Sequence, residues 1–164
     1  MVYIRFVVKI LMWGAIVSMV WLTFSCEEFC EESNRTAVVV NFLSSEDDAS
    51  MTVNITIKGI ENDSTLYSKT NLSQVMLPVN PAADFMSFSI IRNDTLPADT
   101  IKIHYIRYNG FISSECGCVT FAEIQGEPER TENTITDVVV TSHKVTTVSY
   151  RQQVVNEENI RIYY

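Results

Sequence analysis

The sequence predicts an all-β protein, a single antiparallel β-sandwich of roughly eight to nine strands behind an N-terminal signal segment. Three observations support this fold class. Hydrophobic and polar residues alternate at a period of two, as in Val53, Ile55 and Ile57, which is typical of half-buried antiparallel strands. Beyond the first 25 residues, no window of ten residues carries a helical hydrophobic stripe. Clusters of Ser, Asn, Asp, Gly and Pro separate the alternating runs.

Each alternating run is a predicted strand, and Val, Ile, Thr and Tyr dominate because they fit a pleated surface. In chain order the predicted strands cover residues 38–43, 52–58, 73–77, 86–90, 101–105, 119–124, 135–141, 145–150 and 160–163. Turns are expected at residues 44–48, 61–64, 78–81, 92–94 and 125–128. No long crossover helix is predicted, so a parallel sheet is not expected. We predict one β-domain over residues 37–164.

The first 25 residues differ from the rest of the chain. Arg5 and Lys9 are their only charged residues, and an apolar run over residues 10–24 follows. A positive start before so short an apolar run is typical of a secretory signal peptide, whereas a membrane-spanning helix needs about 20 apolar residues. We therefore predict a signal peptide over residues 1–25, with an uncleaved N-terminal anchor as the alternative.

The end of this segment, Leu22-Thr23-Phe24-Ser25-Cys26, resembles the lipobox of bacterial lipoproteins. The resemblance implies that the signal is removed and that Cys26 becomes a lipidated first residue. Three acyl chains, palmitate among them, would then bind membrane lipid. Each buried methylene contributes about 0.8 kcal/mol, so three chains would hold the protein on a membrane permanently.

Residues 26–36 are a predicted acidic tether, because four glutamates directly follow the cysteine: Glu27, Glu28, Glu31 and Glu32. They resemble the export signal of surface lipoproteins, and a solvated tether is the alternative. The 164-residue chain has a net charge of −8, and loss of the signal removes two positive charges. An acidic surface argues against nucleic acid as a partner and is repelled by anionic headgroups. Lipid on Cys26 is therefore the expected membrane attachment.

The remaining cysteines, Cys30, Cys116 and Cys118, are candidates for a disulfide. In an extended strand the Cα atoms of Cys116 and Cys118 lie about 6.6 Å apart, near the upper limit for a disulfide. A bridge between these two therefore needs a local turn, which Gly117 can supply. The alternative bridge joins Cys30 to one of the pair and closes a long loop, which chain entropy rewards with roughly 4.5 kcal/mol.

A thiol or metal enzyme built on Cys116, Cys118 and His104 is a further hypothesis, because closely spaced thiols exchange disulfides or bind soft metals. Thiol catalysis needs a thiol whose pKa is lowered by a helix N-terminus or a cation. Glu115 precedes the pair and no helix is predicted after it. The two histidines are not grouped with other ligands. We therefore predict no catalytic residues, no metal and no cofactor.

Two further sets of residues are candidate sites. Ser64, Thr95 and Thr100 each follow an aspartate, in triplets that resemble the O-glycosylation site of Bacteroidota envelope proteins, although turns also favour such pairs. Aromatic side chains on a β-sandwich can present a surface to sugars. Candidate ligand-facing aromatics are Tyr67, Tyr105, Tyr108 and Phe111.

Several segments in a fixed order resemble an uncharacterised lipoprotein family of the Bacteroidota, a domain of unknown function. They are residues 26–30, 57–64, 75–79, 99–105, 111–117 and 159–164. Cys116-Gly117 fits the family pattern and Cys118 does not. The resemblance therefore favours a Cys30–Cys116 disulfide, with Cys118 as a free, buried thiol.

These observations predict a non-catalytic outer-membrane lipoprotein of the cell envelope, on its periplasmic or surface side. Besides membrane lipid at Cys26, the expected partner is an outer-membrane β-barrel or another envelope protein. A surface carbohydrate-binding module is the first alternative function. A thiol or metal site at the Cys-Gly-Cys motif is the second.

Overall fold

The computed structural model describes residues 36–94, 97–113, 117–145 and 158–164, which form β-strands and no helix. The strands are β1 (Ala37–Leu43), β2 (Val53–Gly59), β3 (Thr65–Leu72), β4 (Gln74–Pro78), β5 (Phe85–Arg92), β6 (Asp99–Ser113), β7 (Gly117–Ile124), β8 (Glu129–Arg130), β9 (Asp137–Val140), β10 (Lys144–Val145) and β11 (Ile160–Tyr163). Among these residues no helix is long and apolar enough to cross a membrane. The predicted signal peptide and most of the tether lie outside the described residues.

The strands form two sheets that share one hydrophobic core, which confirms the predicted β-sandwich. The smaller sheet has the order β4-β1-β11-β9, and the larger has the order β10-β7-β6-β5-β2-β3, with β8 paired to β6. All neighbours are antiparallel except β1 and β11, which pair in parallel from Val40–Ile160 to Leu43–Tyr163. Neither sheet is a parallel sheet, as predicted, and this pair is the exception within the smaller one. The two strands are far apart in sequence, so the whole domain serves as their connection.

The inward-facing residues are those that the period-two pattern selects. Alternate side chains of each strand point to opposite faces. The fully buried ones on the central strands include Val38, Val40 and Phe42 of β1, Ile55 and Ile57 of β2, Ile101, Ile103 and Tyr105 of β6, and Ile160 and Ile162 of β11. They pack into one cluster that spans both sheets.

Two strands were not predicted, β3 and the two-residue β8. β3 is the edge strand of the larger sheet, and its residues are exposed or half-buried on both faces, so its sequence shows no alternation. Lys69 interrupts it with a left-handed φ of 48°, where the pairing with β2 shifts register. Such irregularities protect an edge strand against pairing with another chain. Of the strand predicted at residues 145–150, only its start in β10 is described.

The fifteen-residue strand β6 pairs with β5 only up to His104, opposite Phe85. From Tyr105 to Ser113 it pairs with β7 alone. We call residues 105–113 and 117–124 the β6–β7 hairpin. Within the described ranges, no strand pairs with the second edge of β6 beyond His104. This hairpin therefore extends past the end of β5.

Candidate functional site

A cleft of about 630 Å³ separates the β6–β7 hairpin from the loop between β4 and β5. Pro81 and Asp84 of the loop line one side, and Arg107, Tyr108 and Asn109 are among the hairpin residues that line the other. Arg107 holds the two walls together. Its Nε donates to the Asp84 carboxylate over 2.9 Å, and its Nη1 donates to the carbonyl oxygen of Pro81.

Tyr105 lies at the base of this cleft and is only 2% exposed. Its hydroxyl accepts a hydrogen bond from the Asn80 backbone N–H and lies 3.1 Å from the carbonyl oxygens of Asn80 and Phe85. Desolvation by burial raises the pKa of this phenol. Tyr105 was predicted to face a ligand, but its ring belongs to the core and its hydroxyl fixes the β4–β5 loop.

Tyr67 also has a structural role. Its ring is half-buried and packs against the core, and its hydroxyl accepts a hydrogen bond from the Met76 N–H over 3.0 Å. The contact joins β3 of the larger sheet to β4 of the smaller one. Tyr67 was predicted to face a ligand, but this contact occupies its hydroxyl.

The two other aromatic candidates, Tyr108 and Phe111, are exposed on the β6–β7 hairpin, as is Ile106. Their exposed fractions are 42% for Tyr108, 70% for Phe111 and 58% for Ile106. Tyr108 stacks on Phe121 of β7, with ring centroids 5.6 Å apart. We call Ile106, Tyr108, Phe111 and Phe121 the hairpin patch.

Gly110 makes room for this patch. A Cβ at residue 110 would lie 2.6 Å from the Phe121 ring, closer than real contacts allow. The glycine therefore lets the Phe121 ring lie over the backbone of β6.

The hairpin patch has side chains on both faces of the hairpin. Ile106 and Tyr108 follow the outward register of β6, whereas Phe111 follows the inward register of Ile103 and Tyr105. Phe111 is nevertheless the most exposed of the large hydrophobic residues described. The inner face of the hairpin is therefore uncovered at Phe111, whereas Cys118 opposite it lines a pocket with Thr36 and Pro78 at the end of the smaller sheet.

Cys118 lies opposite Phe111 in β7 and is a free, exposed cysteine. The expectation of a buried thiol was wrong, because Cys118 lines the pocket beside Thr36 and Pro78 and is not part of the core. Cys26, Cys30 and Cys116 lie outside the described residues, so lipidation and the Cys30–Cys116 disulfide stay predictions.

His104 and Cys118 are not brought together. His104 follows the outward register of β6 and its Nε2 lies 3.0 Å from Glu129 Oε1, whereas Cys118 follows the inward register, opposite Phe111. In the part of the chain that the structure describes, no group of three His, Cys, Asp or Glu side chains could hold a metal ion.

The exposure of Cys118 predicts its reactivity. We expect a maleimide reagent to modify Cys118 in the native protein without denaturant, because solvent reaches the thiol. The intact mass measures the number of additions, and the Cys118→Ser variant should lose one. An unchanged number in the variant would mean that Cys118 is bonded or covered.

The predicted O-glycosylation residues lie in different settings. Ser64 lies in the turn after β2, and its hydroxyl donates to Asn62 Oδ1 over 2.7 Å. Thr95 lies outside the described residues. Thr100 lies within β6, where its backbone N–H donates to Thr131 Oγ1 over 2.8 Å. Both described positions are half-buried.

Sequence reasoning did not identify Ile106 and Phe121 as parts of an exposed patch. One signal was present, because Tyr105 and Ile106 are consecutive apolar residues in a strand that otherwise alternates. One of them had to face solvent. The sequence does not show that β5 and the smaller sheet end before the hairpin does.

Comparison with known proteins gives one match. Residues 54–164 match the model of DUF6452, described as a family of unknown function. No curated protein and no solved structure matches the chain. The matched region runs from β2 through β11 and contains the hairpin patch, the cleft and Cys118.

Proposed function

We propose that this chain, which belongs to the DUF6452 family of unknown function, is a non-catalytic lipoprotein anchored in the cell envelope. In this proposal acyl chains on Cys26 hold the β-sandwich on the outer membrane, on its periplasmic or surface side. The sandwich acts as an interaction or structural module. Its partners are membrane lipid and an outer-membrane β-barrel or another envelope protein.

The concentration of exposed hydrophobic side chains on one hairpin is the observation that carries the interaction role. Ile106, Tyr108 and Phe111 lie within six residues of β6, and each is more than 40% exposed. Ile106 and Tyr108 share one face of the hairpin, where the Tyr108 ring stacks on Phe121. Such an exposed apolar cluster is typical of an interaction site, whereas isolated exposed hydrophobic residues are ordinary. The polar groups of the neighbouring cleft already bind one another, as Arg107 does with Asp84.

The intact mass of the protein purified from membranes tests the anchor. We expect a chain that begins at Cys26 and carries acyl chains. The Cys26→Ser variant should lack the acyl mass, and Cys118→Ser should keep it as the matched control. A full-length, unmodified chain in the soluble fraction would contradict the anchor.

A surface carbohydrate-binding module is the second candidate, and the cleft beside Tyr108 favours it. Saccharides combine apolar faces, which pack on aromatic rings, with hydroxyl groups that hydrogen-bond to polar side chains. Tyr108 lines this cleft together with Asp84 and Asn109, and its ring stacks on Phe121. Binding on a glycan array that Tyr108→Ala abolishes would support this function. No binding to any glycan would remove it.

A further inference from the structure

We propose that the hairpin patch inserts into the interfacial layer of the lipid bilayer that anchors the chain. The bilayer would then hold the protein at a second point besides Cys26. This inference rests on the proposed function, because it takes the acylated Cys26 as the first point of attachment. It goes beyond that function by naming the hairpin's partner and by orienting the domain.

The position where the described chain begins supports this orientation. The Thr36 hydroxyl donates to the Thr120 carbonyl oxygen of β7, so the chain leaves the domain beside the hairpin. Thr36 is the tenth residue after Cys26, and ten residues span at most about 35 Å. An acylated Cys26 therefore keeps this end of the sandwich within about 35 Å of the bilayer.

The chemistry of the hairpin patch favours a bilayer over a protein surface. The patch exposes Ile106 and Tyr108 on one face of the hairpin and Phe111 on the other. A single flat protein partner covers one face, whereas an interfacial lipid layer can surround both. Tyr is enriched at membrane interfaces because its ring is apolar and its hydroxyl is wet, and exposed aromatic side chains anchor peripheral proteins there.

The described residues of the β6–β7 hairpin carry no net charge, whereas the chain as a whole is acidic. The chain has 20 acidic residues and a net charge of −8. The charged residues of the β6–β7 hairpin are Arg107 and Glu123. Arg107 pairs with Asp84 over 2.9 Å, and Glu123 lies opposite Ile106 of β6 and opposite Lys144 of β10. Each of these two charges therefore has an oppositely charged residue beside it, and charges more than about 10 Å away are screened.

The sequence offers a clean spectroscopic test. Trp13 and Trp21 are the two tryptophans of the chain, and both lie in the predicted signal peptide. The processed Phe111→Trp variant therefore carries a single tryptophan in the hairpin patch. Phe111 is 70% exposed, so this exchange of aromatic rings leaves the core unchanged.

Val139→Trp is the matched control. Val139 is 38% exposed on β9, two strands away from β1, and lies opposite Arg161, which in turn lies opposite Asn41 of β1. Along the strand direction Asn41 is about 17 Å from Thr36 at the rise of an extended strand.

The experiment expresses each variant from the full-length sequence and places the acylated product in phosphatidylcholine vesicles, with and without brominated acyl chains that quench tryptophan emission. We expect the emission of the Phe111→Trp variant to shift to the blue and to weaken in brominated vesicles. The emission of the Val139→Trp variant should do neither. Adding Ile106→Glu to the Phe111→Trp chain should restore the emission, because a carboxylate resists transfer out of water. Adding Val139→Glu instead should leave the quenching unchanged.

Each other result has a definite meaning. If the Phe111→Trp protein floats with the vesicles but its emission is not quenched, the anchor stands and the membrane-inserting hairpin is wrong. Equal quenching of the two tryptophan variants also overturns the inserting hairpin. A blue shift of the Phe111→Trp variant without vesicles, rising with protein concentration, assigns the hairpin patch to a second copy instead. Protection of its tryptophan only by a membrane protein assigns the patch to that partner. Loss of acyl mass or of flotation defeats the proposed function itself.

Discussion

Replacing Asp99 by Asn is expected to lower the free energy of unfolding by about 3–5 kcal/mol, which is a large share of the stability of such a domain. Asp99 is buried and only 1% exposed. Its carboxylate accepts hydrogen bonds from the backbone N–H groups of Asn133 over 2.7 Å and of Thr134 over 2.8 Å. The Thr131 and Thr134 hydroxyl groups donate to it as well. An amide at residue 99 would place its own donors against these donors.

Urea unfolding of the variant and the parent protein measures this loss. Asp137→Asn is the control, because Asp137 is an exposed carboxylate that also accepts hydrogen bonds, from Arg130 and from the Val138 N–H. An exposed ion pair contributes about 1 kcal/mol or less. Equal losses for the two variants would contradict the role assigned to Asp99.

The same carboxylate predicts how stability depends on pH. Desolvation raises the pKa of Asp99, but the hydrogen bonds from Thr134, Asn133 and Thr131 together lower it below its ordinary value of 3.8. A lowered pKa in the folded state gives stability that is present above the pKa of the unfolded chain. This stability is lost as the pH falls through the folded-state value. The variant at residue 99 has no carboxylate to protonate there. Below pH 3.8 we therefore expect the free energy of unfolding of Asp99→Asn to fall less steeply with decreasing pH than that of the parent protein.

The second large effect is expected for Asn159→Ala, with a loss of about 2–4 kcal/mol in the free energy of unfolding. Asn159 is 5% exposed and precedes β11. Its Oδ1 accepts a hydrogen bond from the Val39 N–H over 3.0 Å. Its Nδ2 donates to the carbonyl oxygens of Ser142, over 3.2 Å, and Lys144, over 2.9 Å. Alanine would leave the buried Val39 N–H and the two carbonyl oxygens without this partner.

Asn71→Ala is the matched control for this variant. Asn71 is exposed on β3, and its Oδ1 accepts from the Asn54 amide over 2.8 Å. Water can replace that partner, so the loss should stay within about 0.5 kcal/mol. Thermal and urea unfolding of both variants compare the two losses. If Asn159→Ala is as stable as Asn71→Ala, Asn159 does not join the two sheets.

Asn159 connects the sheets because its partners belong to different ones. Val39 lies in β1 of the smaller sheet, and Lys144 begins β10 of the larger sheet. This one amide therefore aligns the start of β11 with β1 and with the turn before β10. The parallel pairing of β1 and β11 begins at the next residue, Ile160, opposite Val40.

The alternation of apolar residues predicted the fold class and most of the core. Val53, Ile55 and Ile57 were placed on one buried face, and each is at most 3% exposed. The strand predicted at residues 160–163 has the bounds of β11. These features follow from sequence because a half-buried strand must repeat its apolar side chains every second residue.

Aromatic side chains show the limit of that reasoning. Tyr105 and Tyr108 are the same residue type and lie three positions apart, yet one is 2% and the other 42% exposed. The alternation along β6 separates them, because Tyr105 is at an inward-facing position and Tyr108 at an outward-facing one. The same alternation would also bury Phe111, which is 70% exposed. The exposure of Phe111 depends on where the opposite sheet ends.

The amino-acid sequence by itself determined the all-β class, the inward-facing residues of the buried strands and the turns between them, because these depend on neighbours along the chain. The tertiary structure decided which loop carbonyls and amides Asp99 and Asn159 satisfy, and that β1 pairs with β11 in parallel. It also decided that the β6–β7 hairpin extends beyond its neighbours and exposes its apolar side chains. Such features depend on the relative lengths and ends of strands that are distant in sequence, and no local pattern encodes them.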